Sequence, residues 1–142
     1  RTSYRLYPQR HAVLFSFSVL TCVNSWMWIT WSPIAAPVSR YWSVDPRNVD
    51  ALSYVYMYVY ILLSFPALYL LNRRGLRFGL LSGAALNLAG SVVRYAGTRS
   101  FNLIYVGTSV VAAAQTFTLA VPPLLAGKWF GADERGAATS LG

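Results

Sequence analysis

The sequence predicts an all-α membrane protein, with four transmembrane helices and the start of a fifth. Three observations carry that prediction. Of 142 residues, 56% are apolar and only 11% charged, a composition far from that of a soluble domain. The charges fall almost wholly between long apolar runs, at 12–39, 51–71, 78–97 and 101–127, and a fifth run begins at about 136. Each complete run is near or above the roughly 20 residues needed to cross a bilayer as helix.

Residues 4–11 form a basic, aromatic lead-in, in which Tyr4 and Tyr7 suit the interfacial belt. Span one is too long for a cleavable signal peptide and further spans follow it. It carries Asn24, Trp26, Trp28 and Trp31, and Pro33 and Pro37 are expected to kink or fray its outer end. The next loop holds Asp45-Pro46, a turn signal. Span two places tyrosines at 54, 56, 58 and 60, a strand-like alternation, yet 21 uncharged residues ending in a basic loop make a helix. On that helix Tyr56 and Tyr60 share one face and Tyr54 and Tyr58 another. Span three presents Gly79, Gly83, Asn87 and Gly90 three or four apart, a stripe that admits a close neighbour. Its Arg94 is the one charge inside a run, near enough to the end for its stem to reach the interface as an anchor. Span four holds Ala112, Ala113, Ala114 and Gln115, and Pro122-Pro123 should distort its far half. Asp133 and Glu134 fall where the following helix begins, at its positive end.

A net charge of +8 can signal nucleic acid, but here the basic residues are dispersed through loops beside apolar spans, so topology explains them and no nucleic-acid partner is expected. Arg1, Arg5, Arg10, Arg73, Arg74, Arg77, Lys128 and Arg135 fall on one side of the bilayer, and Arg40, Arg47, Arg94 and Arg99 on the other. The richer side marks the cytoplasm and puts the N-terminus inside. Cys22 is the single cysteine and excludes a disulfide within the chain. The chain starts without methionine and ends as a fifth segment opens, and it reads as a fragment.

The loop Asn72-Arg73-Arg74-Gly75-Leu76-Arg77 resembles the signature between the second and third helices of the major facilitator superfamily. Arg73, Gly75 and Arg77 match, while Asn72 replaces the carboxylate that in the superfamily joins a gating charge network. Trp129-Phe130-Gly131 followed by Glu134-Arg135 resembles the superfamily's loop between helices four and five. A narrower resemblance, to the feline leukaemia virus subgroup C receptor-related transporters, covers nearly the whole chain. It rests on Asn24-Ser25-Trp26-Met27-Trp28-Ile29, Leu52-Ser53-Tyr54-Val55-Tyr56-Met57, Phe65-Pro66-Ala67, Leu70-Leu71-Asn72-Arg73-Arg74-Gly75-Leu76-Arg77, Gly83-Ala84-Ala85-Leu86-Asn87 and Ala114-Gln115-Thr116-Phe117. The resemblance implies a twelve-helix carrier of which this chain is part of the N-terminal six-helix bundle, the C-terminal bundle lying elsewhere. It implies choline and related amines as substrates, with haem export as the other activity assigned to the family. It also places Trp28 and Gln115 at the choline site, and Asn72, Arg73, Gly75, Arg77, Glu134 and Arg135 in gating.

The residues themselves bear on that choice. An indole face attracts a desolvated quaternary ammonium by about 2 kcal/mol without a carboxylate. Asn24, expected to bind substrate by orienting its polar groups, lies four residues before Trp28 and stacks on the same helical face, with Trp31 one turn further. Trp28 either lines a cavity or packs at the interface; Gln115 either meets substrate or bridges helices. Tyr56 and Met57 are further site candidates that also suit a core. No Asp or Glu occurs inside a span, which favours facilitated diffusion over proton coupling; a cation would then be drawn inward by about 2.3 kcal/mol per 100 mV. His11 is the one histidine and sits at the edge of span one, a poor basis for haem ligation. No metal cluster, nucleophile triad or phosphate loop is evident, so neither an enzyme nor a bound cofactor is expected. A non-transporting receptor or scaffold with the same fold is the alternative from another class.

Overall fold

A computed structural model describes residues 9–131 and 134–141, apart from the side chain of Leu141. The interfacial and topological roles expected of Arg1, Tyr4, Arg5 and Tyr7, and the helix-start role of Asp133, lie outside the described residues. The elements are α1 (Gln9–Ile29), α2 (Ala35–Trp42), α3 (Pro46–Arg74), α4 (Leu76–Ala96), a 3-10 turn at Gly97–Arg99, α5 (Phe101–Trp129) and α6 (Arg135–Leu141). Four of them, α1, α3, α4 with its 3-10 turn, and α5, are long and apolar enough to cross a membrane.

The first apolar run is not one helix. It breaks after Ile29 and resumes at Ala35 as the eight-residue α2. Pro33 lies in the break, where its missing N–H and its ring oppose continued helix. Pro37 falls in the first turn of α2, where no intrahelical donor is needed. Thr30 closes the last turn of α1 twice, donating its N–H (3.1 Å) and its hydroxyl (2.6 Å) to the Trp26 carbonyl. Trp42 then ties α2 across the bundle, donating Nε1 to the Thr98 carbonyl at 3.2 Å.

The second span starts earlier than its apolar run. Asp45 accepts from the Arg47 N–H at 2.8 Å and Pro46 takes the first helical position, both favourable at a helix start. The alternating tyrosines all lie in α3, which runs on through Pro66; α5 likewise continues through Pro122 and Pro123 without interruption. Helices α3 and α4 meet at Gly75 alone, with φ +84° and ψ 177°, backbone space open essentially only to glycine.

Three layers of buried side chains stack along the bundle. At the end bearing the Asn72–Arg77 loop, Leu14, Phe17, Leu71, Leu76, Val121, Leu125 and Phe130 pack together. In the middle lie Val55, Tyr56, Val111 and Ala112. At the opposite end Trp31 and Val38 pack on Val49, Leu52 and Ile104. Lipid supplies no hydrophobic drive between helices, so close backbone approach decides which ones meet. Gly79, Gly83, Asn87 and Gly90 of α4 are all buried, as the stripe predicted. The tightest crossing is Gly90 on Gly107 of α5: a Cβ at Gly90 would stand 2.8 Å from the Gly107 carbonyl oxygen.

Candidate functional site

The midsection of the bundle brings Trp28 of α1, Tyr56, Met57, Tyr60 and Ile61 of α3, and Gln115 and Leu119 of α5 around a cavity of about 220 Å³. Each wall follows from helical spacing: Tyr56 and Tyr60, or Gln115 and Leu119, are one turn apart on a single face. Trp28 is 39% exposed. Its Nε1 donates to the Ser53 carbonyl at 3.3 Å, and its ring centroid lies 6.4 Å from that of Tyr56 at an interplanar angle of 46°. The tether leaves the indole face free for a ligand. Tyr56 is almost wholly buried and its hydroxyl makes no hydrogen bond among the described residues. Gln115 is half-buried and lines the same space.

Four of the five residues expected to bind substrate, Trp28, Gln115, Tyr56 and Met57, thus share one cavity. Asn24 does not. Its amide is turned into the bundle, 1% exposed, donating to Asn87 Oδ1 at 3.0 Å and to the Val111 carbonyl at 3.3 Å. It ties α1 to α4 and α5 instead of orienting a ligand. The expectation failed because spacing four apart fixes a shared face only to within part of a turn. Trp31 also departs from that face, since the break after Ile29 turns it into the end cluster. Tyr60, Ile61 and Leu119 line the cavity without having been singled out; their one-turn spacing from Tyr56, Met57 and Gln115 is the signal that could have found them.

A cation in this cavity would meet a largely apolar lining of aromatic rings, a thioether and aliphatic carbons, and no carboxylate among the lining residues. That set stabilises a desolvated quaternary ammonium through ring quadrupoles. A larger groove of about 840 Å³ lies between α1 and α4, from Gln9 to Ser91, but no tryptophan or tyrosine lines it. Among the described residues, no group of three or more His, Cys, Asp or Glu side chains is placed to hold a metal ion.

The residues expected to gate lie at the basic end. Arg73 donates to the Tyr69 hydroxyl at 3.2 Å, Arg74 stacks 5.2 Å from the Phe78 ring centroid, and Asn72 and Arg77 are exposed. Glu134 pairs with none of these. It accepts from Arg10 Nη1 at 2.7 Å, joining the start of α1 to the start of α6. Arg10 also lies 5.4 Å from the Phe130 ring centroid, and His11 meets the same ring edge-on at 5.9 Å. Arg135 turns back on α5, donating Nε to the Phe130 carbonyl at 3.3 Å and Nη2 to that of Gly127 at 3.5 Å. A cation there suits the negative end of α5. The two basic-end loops are therefore held separately here, and Arg10, counted in the sequence only for topology, is the partner of Glu134.

No protein-family profile matches the chain. Over 140 residues it is 40% identical to an uncharacterized MFS-type transporter of Caenorhabditis elegans, covering 97% of this chain and 24% of the relative. Over 140 residues it is 38% identical to the choline/ethanolamine transporter flvcr2b of Danio rerio, covering 97% of this chain and 29% of the relative. Over 131 residues it is 37% identical to the choline/ethanolamine transporter FLVCR1 of Mus musculus, covering 91% and 23%. The chain spans about a quarter of the length of these relatives. It is a homologue of MFS-type and choline/ethanolamine transporters, and with its four spanning helices it is a multi-pass membrane protein.

Proposed function

We propose that this chain forms the first four helices and the start of the fifth of an alternating-access carrier that moves choline, ethanolamine and similar organic cations by facilitated diffusion. The single observation that carries the reading is the cavity joining Trp28, Tyr56, Tyr60, Met57 and Gln115 without a carboxylate. The similarity to choline/ethanolamine transporters of Danio rerio and Mus musculus supports the same substrate class. In this account Trp28 supplies the cation-π face, Tyr56 and Met57 complete the apolar wall, and Gln115 orients the substrate's hydroxyl or amine. Asn24 keeps α1 in register beneath Trp28. The N-terminus and the Asn72–Arg77 loop face the cytoplasm, in the plasma membrane, and a second bundle closes the cavity as the two rock about it. Asn72, Arg73, Gly75 and Arg77, with the Arg10–Glu134 pair and Arg135, bias the cytoplasmic side between closed and open.

Competition in the full-length carrier separates charge from shape. Tetramethylammonium is expected to inhibit labelled choline uptake strongly, whereas 3,3-dimethylbutanol, choline's neutral isostere, competes at least about tenfold less well, since it forfeits the cation-π attraction. Equal inhibition by the two would remove the electrostatic basis of the site.

A further inference from the structure

We infer that Arg94 is a positioning residue for this cavity: by gripping the end of α1 it fixes Trp28 against Tyr56. The inference rests on the cation-carrier reading above. The sequence suggests an interfacial anchor, yet the side chain folds back into the bundle. Arg94 Nη1 donates to the Met27 carbonyl at 3.2 Å, one residue before Trp28. Its guanidinium lies 4.8 Å from the ring centroid of Trp31, within the break that follows α1. One side chain from α4 therefore holds both sides of the point where α1 stops.

That point needs holding. The last carbonyls of α1 have no intrahelical donors, and a cation beside them is favoured by the helix dipole. Trp28's own tether, 3.3 Å to the Ser53 carbonyl, is longer than a normal N–H···O bond, so it cannot fix the indole alone. The arginine thus holds the backbone next to Trp28, one aromatic wall of the cavity. Its stem is admitted by Gly107, where a Cβ would come within 2.7 Å of the Arg94 Cγ. Among the described residues no carboxylate pairs with it, so the α1 terminus and the Trp31 face are its compensating partners.

The test uses Arg94→Met, which keeps the stem, and Arg94→Lys, which keeps the charge without the planar fork. In the full-length carrier Arg94→Met is expected to raise the choline KM about tenfold, the cost of a misplaced cation-π face. Maximal uptake per surface molecule stays within about twofold, and Arg94→Lys falls between. Backbone amides of residues 28–34, apart from Pro33, which has none, should exchange hydrogen faster in Arg94→Met than in the unaltered protein. An unchanged KM with normal surface expression, or unchanged exchange at 28–34, would overturn the inference. So would a loss of maximal uptake at constant KM, which is the signature of general instability. If Arg94→Met does not reach the surface, Arg94→Lys decides by the same two readouts. A carrier that moves no quaternary amine at all defeats the cation reading itself, while the exchange measurement still decides whether Arg94 holds α1.

Discussion

Replacing Trp28 by alanine is expected to reduce choline uptake by more than about tenfold, and Trp28→Phe to retain part of it. The ordering follows from ring electrostatics. Indole offers the strongest quadrupole, phenyl a weaker one and alanine none, and in a desolvated pocket the full interaction is worth about 2 kcal/mol or more. Trp28→Phe also loses the Nε1 bond to Ser53, so its ring is free to swing from Tyr56. Partial rather than full rescue is therefore expected. Uptake curves at matched surface expression check this, and unchanged uptake in Trp28→Ala would remove the cation-π role. The effect should fall mainly on KM if Trp28 holds substrate equally throughout the cycle.

A second large effect is expected where no ligand is touched. Gly90→Leu should abolish surface expression of the carrier, because at that crossing even a Cβ lies 2.8 Å from the Gly107 carbonyl oxygen and 2.9 Å from the Val111 amide nitrogen. Both are backbone atoms, and neither helix can move away without opening the rest of the α4–α5 seam. Overpacking in a well-packed core costs about 1–3 kcal/mol when side chains can adjust, and more here, since they cannot. Gly83→Ala is the matched control. A Cβ there meets Thr118, Phe117 and Ala114 at 3.5–3.8 Å, ordinary contact, so expression and uptake should stay near those of the unaltered protein. If both variants behaved alike, the crossing would not be where the structure puts it.

These two cases show what was legible in the sequence. The four spans, the glycine stripe and the basic loop follow from composition and spacing, because in a bilayer every backbone group must be satisfied within its own helix. The stripe indicated a close neighbour, which the structure identifies as α5. What spacing could not supply was the break after Ile29. Pro33 and Pro37 signalled disorder in the helix end, but whether a proline kinks a helix or ends it depends on what replaces the lost bonds. Here Thr30 does so locally at the Trp26 carbonyl, and Arg94 does so from another helix at the Met27 carbonyl. The same non-local bonding moved Asn24 out of the cavity. Its amide found Asn87 and Val111 on other helices, partners invisible to a pattern read along one helix. Arg94 was misread for a related reason: its distance from the end of its run implied a route to the interface, whereas the broken end of α1 offered carbonyls nearby. Trp28, Tyr56, Met57 and Gln115 share one cavity, Tyr56, Met57 and Gln115 from the interior of their helices and Trp28 from the end of α1.

The central claim is that a substrate cation rests against Trp28. Arsenocholine places a strongly scattering atom where choline has nitrogen, so a structure of the full-length carrier with this ligand locates the charge directly. The account predicts an anomalous peak within about 6 Å of the Trp28 ring centroid, the reach of a cation-π contact, with Tyr56 and Gln115 on its flanks. A peak elsewhere, or one in the α1–α4 groove with the Trp28 cavity empty, would contradict it.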